Sequence, residues 1–529
     1  MSAVVRPFVL ASVATALVVA ASRSIAHADD YGRAALLDAA IATITPQELR
    51  DHAGFLADDT LEGREAGKRG GRTTAQYLER QLKAAGMTPG GDNGGYLQRF
   101  SPNYQNVLAV LPGTDPQLQG EYILLGAHYD HVGYGTWRNS NGPTGYIHNG
   151  ADDNASGVSA LLEIVDAWRR TQWQPRRSII IAFWDGEEIN LLGSRHWVKR
   201  PTVPLESVRL AVNIDMLGRL REGRLEVGGT RTAPGLRRML SSDHLPADMW
   251  LDFSWEYKEN SDHWPLFMAG VPSLLFHTGL HDDYHTPRDD IEKLNIPGIR
   301  LAAAYVLQAV SLAADAEDLP KFRPASRSEN PSVQKAKEAP LPPPAPRLGL
   351  TWLWTGTGEE HVLRVDELTP GGAAETAGIR LGDFVVAIDG TPLANEFQLA
   401  ATVLRAEKEV TLSVVRDGEA PIPVTVALAG TPTQLGLSWR EDDAEPGAVF
   451  ITRVVPHSPA ARAGLKLYDR IYALEGEPFA SGDALLERVR ELLATEPAAL
   501  QFEVETAGHI RTVGVDMELP TEPDGDATL

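Results

Sequence analysis

Ser178-Ile179-Ile180-Ile181-Ala182-Phe183-Trp184-Asp185-Gly186-Glu187-Glu188 is an apolar run that ends in a turn and two adjacent carboxylates. Three further runs end the same way: Tyr122 to Leu125 before His128, Leu210 to Ile214 before Asp215, and Val271 to Phe276 before His285. Between them lie amphipathic stretches. Val158, Leu161, Leu162, Val165 and Trp168 form one apolar stripe at helical spacing, just after Asn154-Ala155-Ser156-Gly157, where capping residues belong. Strand-like runs alternating with such helices predict an α/β domain, a mostly parallel sheet covered by helices on both faces.

In an open sheet of this kind ligands bind beyond the carboxyl ends of the strands, so His128, Glu187, Glu188, Asp215 and His285 are expected to converge on one crevice. Gly150-Ala151-Asp152-Asp153-Asn154 opens the striped helix and brings a fifth element to it. Two imidazoles and three carboxylates suffice for two zinc ions if one carboxylate bridges them, and Asp152 is the expected bridge. Such a pair, roughly 3.5 to 4 Å apart, activates a shared water and polarises a scissile carbonyl. Of Glu187 and Glu188, one can ligate while the other carries the proton to the leaving amine. Asp130 can accept the free N–H of His128 and fix its tautomer.

Other polar residues read more plainly. His131 and His148 belong to a Gly/Asn-rich loop and are expected to be solvated. His277 is expected in the core and His281 in a loop. Asp262 and His263 could support the metals or touch substrate. Trp264, Phe267 and Met268 could line an apolar pocket, although such residues are commonly core.

The series FLADDTLEGREAGKRGG (55–71), GAHYDHVG (126–133), NGADDNASG (149–157), FWDGEEINLLGS (183–194), NIDMLGR (213–219) and SDHWPLFMAGVPSLLFHTGLHDDYHTPRDD (261–290) resembles the co-catalytic zinc aminopeptidases, metallopeptidase family twenty-eight. The resemblance runs from about Thr43 to Ala314. It implies that His128, Asp152 and Asp215 hold one zinc and that Asp152, Glu188 and His285 hold the other. It further implies Glu187 as general base, a strained and cis peptide between Asp152 and Asp153, and a supporting role for Asp130. Arg64 falls in the amino-terminal segment of the resemblance, where a structural salt bridge is expected. Glutaminyl cyclases and glutamate carboxypeptidases share the framework, so cyclisation and carboxypeptidase cleavage stand as alternatives.

At 529 residues the chain exceeds one core, and its net charge of −22 argues against nucleic acid and anionic membranes as partners. It has no cysteine, so any metal must sit on His, Asp and Glu. Residues 1–28 read as an export signal: Arg6, an apolar run from Pro7 to Ala21, and Ala26-His27-Ala28 as a small-residue cleavage site. The mature protein is then periplasmic or extracellular, with no stable membrane insertion.

The peptidase-like domain occupies 29–318, and a proline-rich stretch at 319–346 reads as an extended, mobile linker. Two copies of one module follow, at 347–430 and 431–519, ahead of a flexible tail at 520–529. Leu348-Gly349-Leu350 recurs as Leu435-Gly436-Leu437, and Pro370 to Gly378 resembles Pro456 to Gly464. The repeat resembles the small β-rich PDZ domains of bacterial envelope proteases, whose equivalent loop offers backbone N–H groups to a peptide carboxylate. Expected partners are a peptide substrate with a free amino terminus and, through the modules, peptide carboxyl termini or another protein. A different class of reading makes the module pair the working part and the zinc site vestigial.

Overall fold

The computed structural model describes residues 32–101, 103–355 and 362–518; residues 1–28 and 520–529, read as signal and tail, lie outside them. The chain divides into two compact units, the first running to Asn330 except for 241–244, the second comprising 241–244 and everything from Pro331.

The first unit is built on nine strands: β1 (Thr88–Pro89), β2 (Leu97–Phe100), β3 (Tyr104–Leu111), β4 (Tyr122–His128), β5 (Ser178–Trp184), β6 (Val208–Ile214), β7 (Arg224–Gly228), β8 (Trp250–Ser254) and β9 (Ser273–His277). Their order is β1-β3-β5-β4-β6-β9-β7-β8, with β2 also paired to β3. The centre, β5-β4-β6-β9, is parallel, in the register His128↔Trp184, Gly126↔Asn213 and Ile214↔Phe276. Antiparallel pairing at β3-β5 and β7-β9 ends that parallel block on both sides, so the whole sheet is mixed.

The central strands are apolar throughout because both faces are covered. In β5, Ile179, Ile181 and Phe183 join the larger core with α1 (Pro46–Leu56), α2 (Gly157–Thr171) and α5 (Ile296–Asp315). Ile180, Ala182 and Trp184 point the other way, onto the cluster that includes Trp197 of α3 (Leu192–Lys199) and Leu266 of α4 (His263–Met268). The stripe expected on α2 is buried at every position, from Val158 to Trp168, whose indole donates to Ser311 of α5 at 3.1 Å. At about 1.5–3 kcal/mol per fully buried large apolar side chain, this packing holds the four strand ends in register.

The second unit contains two modules of identical topology. The first comprises β10 (Leu350–Thr355), β11 (Val362–Leu368), β12 (Phe384–Ile388), β13 (Thr391–Pro392), β14 (Glu409–Val415) and β15 (Ile422–Ala427). The second comprises β16 (Leu437–Glu441), β17 (Val449–Val454), β18 (Arg470–Leu474), β19 (Glu477–Pro478), β20 (Ala499–Thr506) and β21 (His509–Asp516). Both sheets run in the same sequence of neighbours and break register at equivalent points, Thr351/Trp352 and Ser438/Trp439. Each keeps a separate core, around Leu363, Leu399 and Leu412 or around Ile451, Leu485 and Phe502.

The stretch expected to be a mobile linker is instead anchored. Glu329 pairs with Arg231 and Arg323 at 2.7 Å each, on the peptidase side. From Pro331 the chain forms α6 (Pro331–Lys337), Glu338 reaches Arg470 at 3.0 Å, and Leu341 N donates to Thr452 O at 2.9 Å, all within the second unit. Proline content suggested an extended tether, but ion pairs and carbonyl contacts fix these residues to the nearest fold.

Candidate metal centre

The four parallel strands deliver their carboxyl ends to one edge. His128 closes β4, Glu187 and Glu188 follow β5, Asp215 follows β6, and His285 lies in the loop after β9. His128 Nε2 stands 3.2 Å from Asp215 Oδ1 and 3.2 Å from Asp153 Oδ1. His285 Nε2 stands 3.0 Å from Asp153 Oδ2 and 3.1 Å from Glu188 Oε2. Two donor groups result, His128–Asp153–Asp215 and His131–Asp153–Glu188–His285, and they share one carboxylate.

That shared carboxylate is Asp153, which corrects the expectation of Asp152. The turn sends the two neighbouring side chains in different directions. Asp153 (φ −103°, ψ 96°) and Asn154 (φ −126°, ψ 40°) both leave helical geometry within the turn. Asp152 is fully buried, with Oδ1 accepting from Gly218 N and from Ser156 Oγ at 3.0 Å, and Oδ2 lying 3.0 Å from His281 Nε2. The cis peptide likewise lies one residue later than expected, between Asp153 and Asn154.

Three further placements differ from the sequence reading. His131 is buried, with Nδ1 2.8 Å from Glu188 Oε1 and 3.8 Å from Asp153 Oδ2. Asp130 does not take the His128 ring proton: Nδ1 is 3.2 Å from the Asp130 carbonyl but 3.9 Å from its carboxylate, which accepts Glu187 N–H at 3.0 Å. Asp130 thus sets the position of Glu187. His148 is buried against Ser140, its Nε2 2.8 Å from Oγ, so neither loop histidine is solvated.

The electrostatics follow from packing charge out of water. Burial opposes charge on His128, yet Asp215 and Glu187 beside it hold its proton well above the usual range. Burial and Asp153 push Glu188 up, but the imidazoles of His131 and His285 beside it bring it down to about 2. For Glu187, burial outweighs the lowering by His128 and, reinforced by Glu188 and Asp215, drives it well above the carboxylate range. His131 Nε2 and His285 Nε2 have no aligned hydrogen-bond partner despite the surrounding carboxylates. Imidazole nitrogens and carboxylate oxygens at these separations, poorly aligned for one another, fit a cation, and a nitrogen–oxygen set without sulfur fits zinc.

A cleft of about 740 Å³ opens onto Asp153, Glu187 and Asp215, with Trp250, His277 and Tyr284 on its walls. Asp262 and His263 are fully buried, Ser194 Oγ donating to Asp262. Phe267 is buried against Tyr257 and Phe322, whereas Met268 is half-exposed. None of these four lines the cleft.

In the modules, Leu348, Leu350 and Leu435 are buried core residues, and the loops turn at Gly349 (φ 67°) and Gly436 (φ 82°). In the second, a groove of about 540 Å³ lies against Gly436 and Leu437, walled by Trp439 of β16 and by Leu486, Val489 and Leu493 of α8 (Gly482–Leu493), with α7 (Glu396–Arg405) contributing Arg405.

The first unit is thus a mixed α/β sheet with a buried His/Asp/Glu cluster at the carboxyl edge of its parallel strands, followed by two β-rich modules. Residues 106–310 match the family described as "Peptidase family M28", and residues 364–416 match a PDZ domain. Leupeptin-inactivating enzyme 1 of Streptomyces exfoliatus is 27% identical over 39% of this chain and 42% of its own length. Aminopeptidase YwaD of Bacillus subtilis is 29% identical over 38% of this chain and 43% of its own. The chain thus spans less than half the length of these relatives. Among solved structures, the LapA aminopeptidase of Legionella pneumophila is 19% identical with a TM-score of 0.44, covering 53% of this chain and 75% of that one.

Proposed function

We propose that this protein is an exported zinc-dependent aminopeptidase with a centre for two ions. The carrying observation is the pair of donor groups joined by Asp153, with Glu187 beside them on the wall of the cleft. His128 and Asp215 would hold one ion, Glu188 and His285 the other, with Asp153 common to both. When bound, zinc supplies Lewis acidity toward the scissile carbonyl and a water made acidic enough to attack near neutral pH.

The remaining chemistry belongs to the chain. The Glu187 carboxylate takes the water proton and returns it to the leaving amine. Asp130 fixes Glu187 through its backbone N–H, and His131 holds Glu188. The acidic edge of the cleft suits a free amino terminus. Residues 1–28 are the export signal in this reading, and the groove of the second module takes a peptide carboxyl terminus at the Gly436–Leu437 backbone.

Glu187→Gln should retain zinc and lose about 10²- to 10⁴-fold in turnover on amino-acyl anilides. Full turnover in that variant removes the general-base role. A panel of free-amine, amino-terminal-Gln and free-carboxylate substrates separates aminopeptidase from cyclase and carboxypeptidase.

A further inference from the structure

Arg64 was expected to form a salt bridge, yet every hydrogen bond its side chain makes goes to a main-chain carbonyl. Nε donates to Tyr129 O at 2.9 Å, Nη1 to Leu56 O at 2.7 Å and Asn149 O at 2.5 Å, and Nη2 to Gly150 O at 3.0 Å and Asp153 O at 3.4 Å. The side chain is fully buried, and burial draws its proton affinity down to about 10, so it stays charged at neutral pH. No carboxylate touches it, although Asp153, Asp130, Asp289 and Glu188 favour its charge from a distance; a buried cation is costly and persists only when its donors are well satisfied.

The backbone around it is bent to put it there. Arg64 itself sits at φ 48° and Gly63 at φ 63°. A Cβ on Gly63 would stand 2.4 Å from His148 O and 2.5 Å from Gly133 O. Residues 63–65 therefore run directly beside 131–133, with His131 N bonded to Arg64 O and Gly133 N to Gly63 O.

Four of the five carbonyls that Arg64 gathers flank the donor cluster; the fifth, Leu56 O, ends α1. Tyr129 links His128 to Asp130, and Gly150 and Asp153 bracket the turn that aims the shared carboxylate. The same turn is gripped from its N–H side by Asp289 Oδ2, which accepts from Asp152 N and Asp153 N at 3.0 Å each, while Arg219 holds Asp289 Oδ1 at 3.1 Å.

We propose that Arg64 is a positioning residue of the metal centre: its guanidinium ties the His128–Asp130 strand end to the Asp153 turn through main-chain carbonyls and so builds the donor cluster before any metal arrives. This rests on the zinc reading. Zinc affinity then depends on a residue that touches neither metal nor substrate, because ordering the loops is done in advance. Lysine cannot substitute, since a single ammonium cannot span carbonyls that a planar fork reaches from three nitrogens.

The test uses the full chain with Arg64→Lys and, as a control, Arg177→Lys. Arg177 is equally buried and also bonds carbonyls, at Glu317 and Ala316, but at the start of β5, the opposite end of the sheet. Each protein is stripped of metal, titrated with zinc against a chromophoric chelator, and melted by circular dichroism. Arg64→Lys should weaken zinc binding about 10- to 100-fold, and in the metal-free protein it should speed amide exchange at 129–131 and 150–154. Arg177→Lys should lower the melting temperature and leave zinc affinity unchanged. Native zinc affinity in Arg64→Lys, or an equal loss in both variants, overturns the proposal. A native chain that binds no zinc overturns the metallopeptidase reading and this proposal with it.

Discussion

The carboxyl edge of the α/β sheet and the groove of the second module are built of different materials. At the sheet edge the working groups are side chains: buried imidazoles and carboxylates that would repel or strand one another without a cation. In the groove the side chains of the repeated Leu-Gly-Leu motif are mostly core, and what faces outward is backbone turned by a left-handed glycine. A function carried by side chains should be lost by isosteric changes of charge. One carried by backbone should be lost by adding a methyl group.

The sharpest break in that comparison is at the shared carboxylate. Asp153→Asn removes the charge common to both donor groups; losing one partner of a buried charge cluster costs about 3–5 kcal/mol, about a thousandfold in zinc affinity. Metal content and anilide turnover should fall together. Asp152→Asn, one residue away, keeps an acceptor for Gly218 N and Ser156 Oγ and should hold zinc within about tenfold while costing about 1 kcal/mol of stability. Equal metal loss in the two variants would return the bridge to Asp152.

On the backbone side, Gly436→Ala places a Cβ 2.1 Å from Ser458 Cβ at a positive φ. That should cost the second module about 1–3 kcal/mol and weaken binding of an acetylated apolar-ended peptide, read by calorimetry, with anilide turnover untouched. A fall in turnover would show that the two regions are not separable.

The smallest effect concerns the anchored stretch between them. Burial alone would raise the carboxyl of Glu329, but Arg323 and Arg231 lower it from 4.5 to about 2. A depressed carboxylate stabilises above its unfolded value and loses that contribution as pH falls through its folded one. Between pH 5 and 3 the native chain should therefore lose melting temperature faster than Glu329→Gln; parallel curves would mean that the pairs contribute nothing.

Much of this was legible in the sequence because strand ends announce themselves: an apolar run that stops at His128, Glu187 or Asp215 leaves little choice about where the polar group lies. The choice between Asp152 and Asp153 was not legible. Adjacent identical side chains in a turn are separated only by backbone angles, and here those of Asp153 and Asn154 depart from the helix around them. His131 was missed for a related reason, since a histidine in a glycine-rich loop reads the same whether the loop folds inward or not. Arg64 was hidden because its partners are carbonyls, which every residue has. The mixed outer strands were obscured by the apolar runs of the parallel centre.

The centre draws on positions 128, 153, 188, 215 and 285, so it cannot exist until the sheet has closed around β9. In the zinc reading, metal acquisition would thus follow assembly of the sheet. If the chain crosses a membrane unfolded, its metal content reports the supply of the compartment it reaches, and the compartment that made it receives no active enzyme.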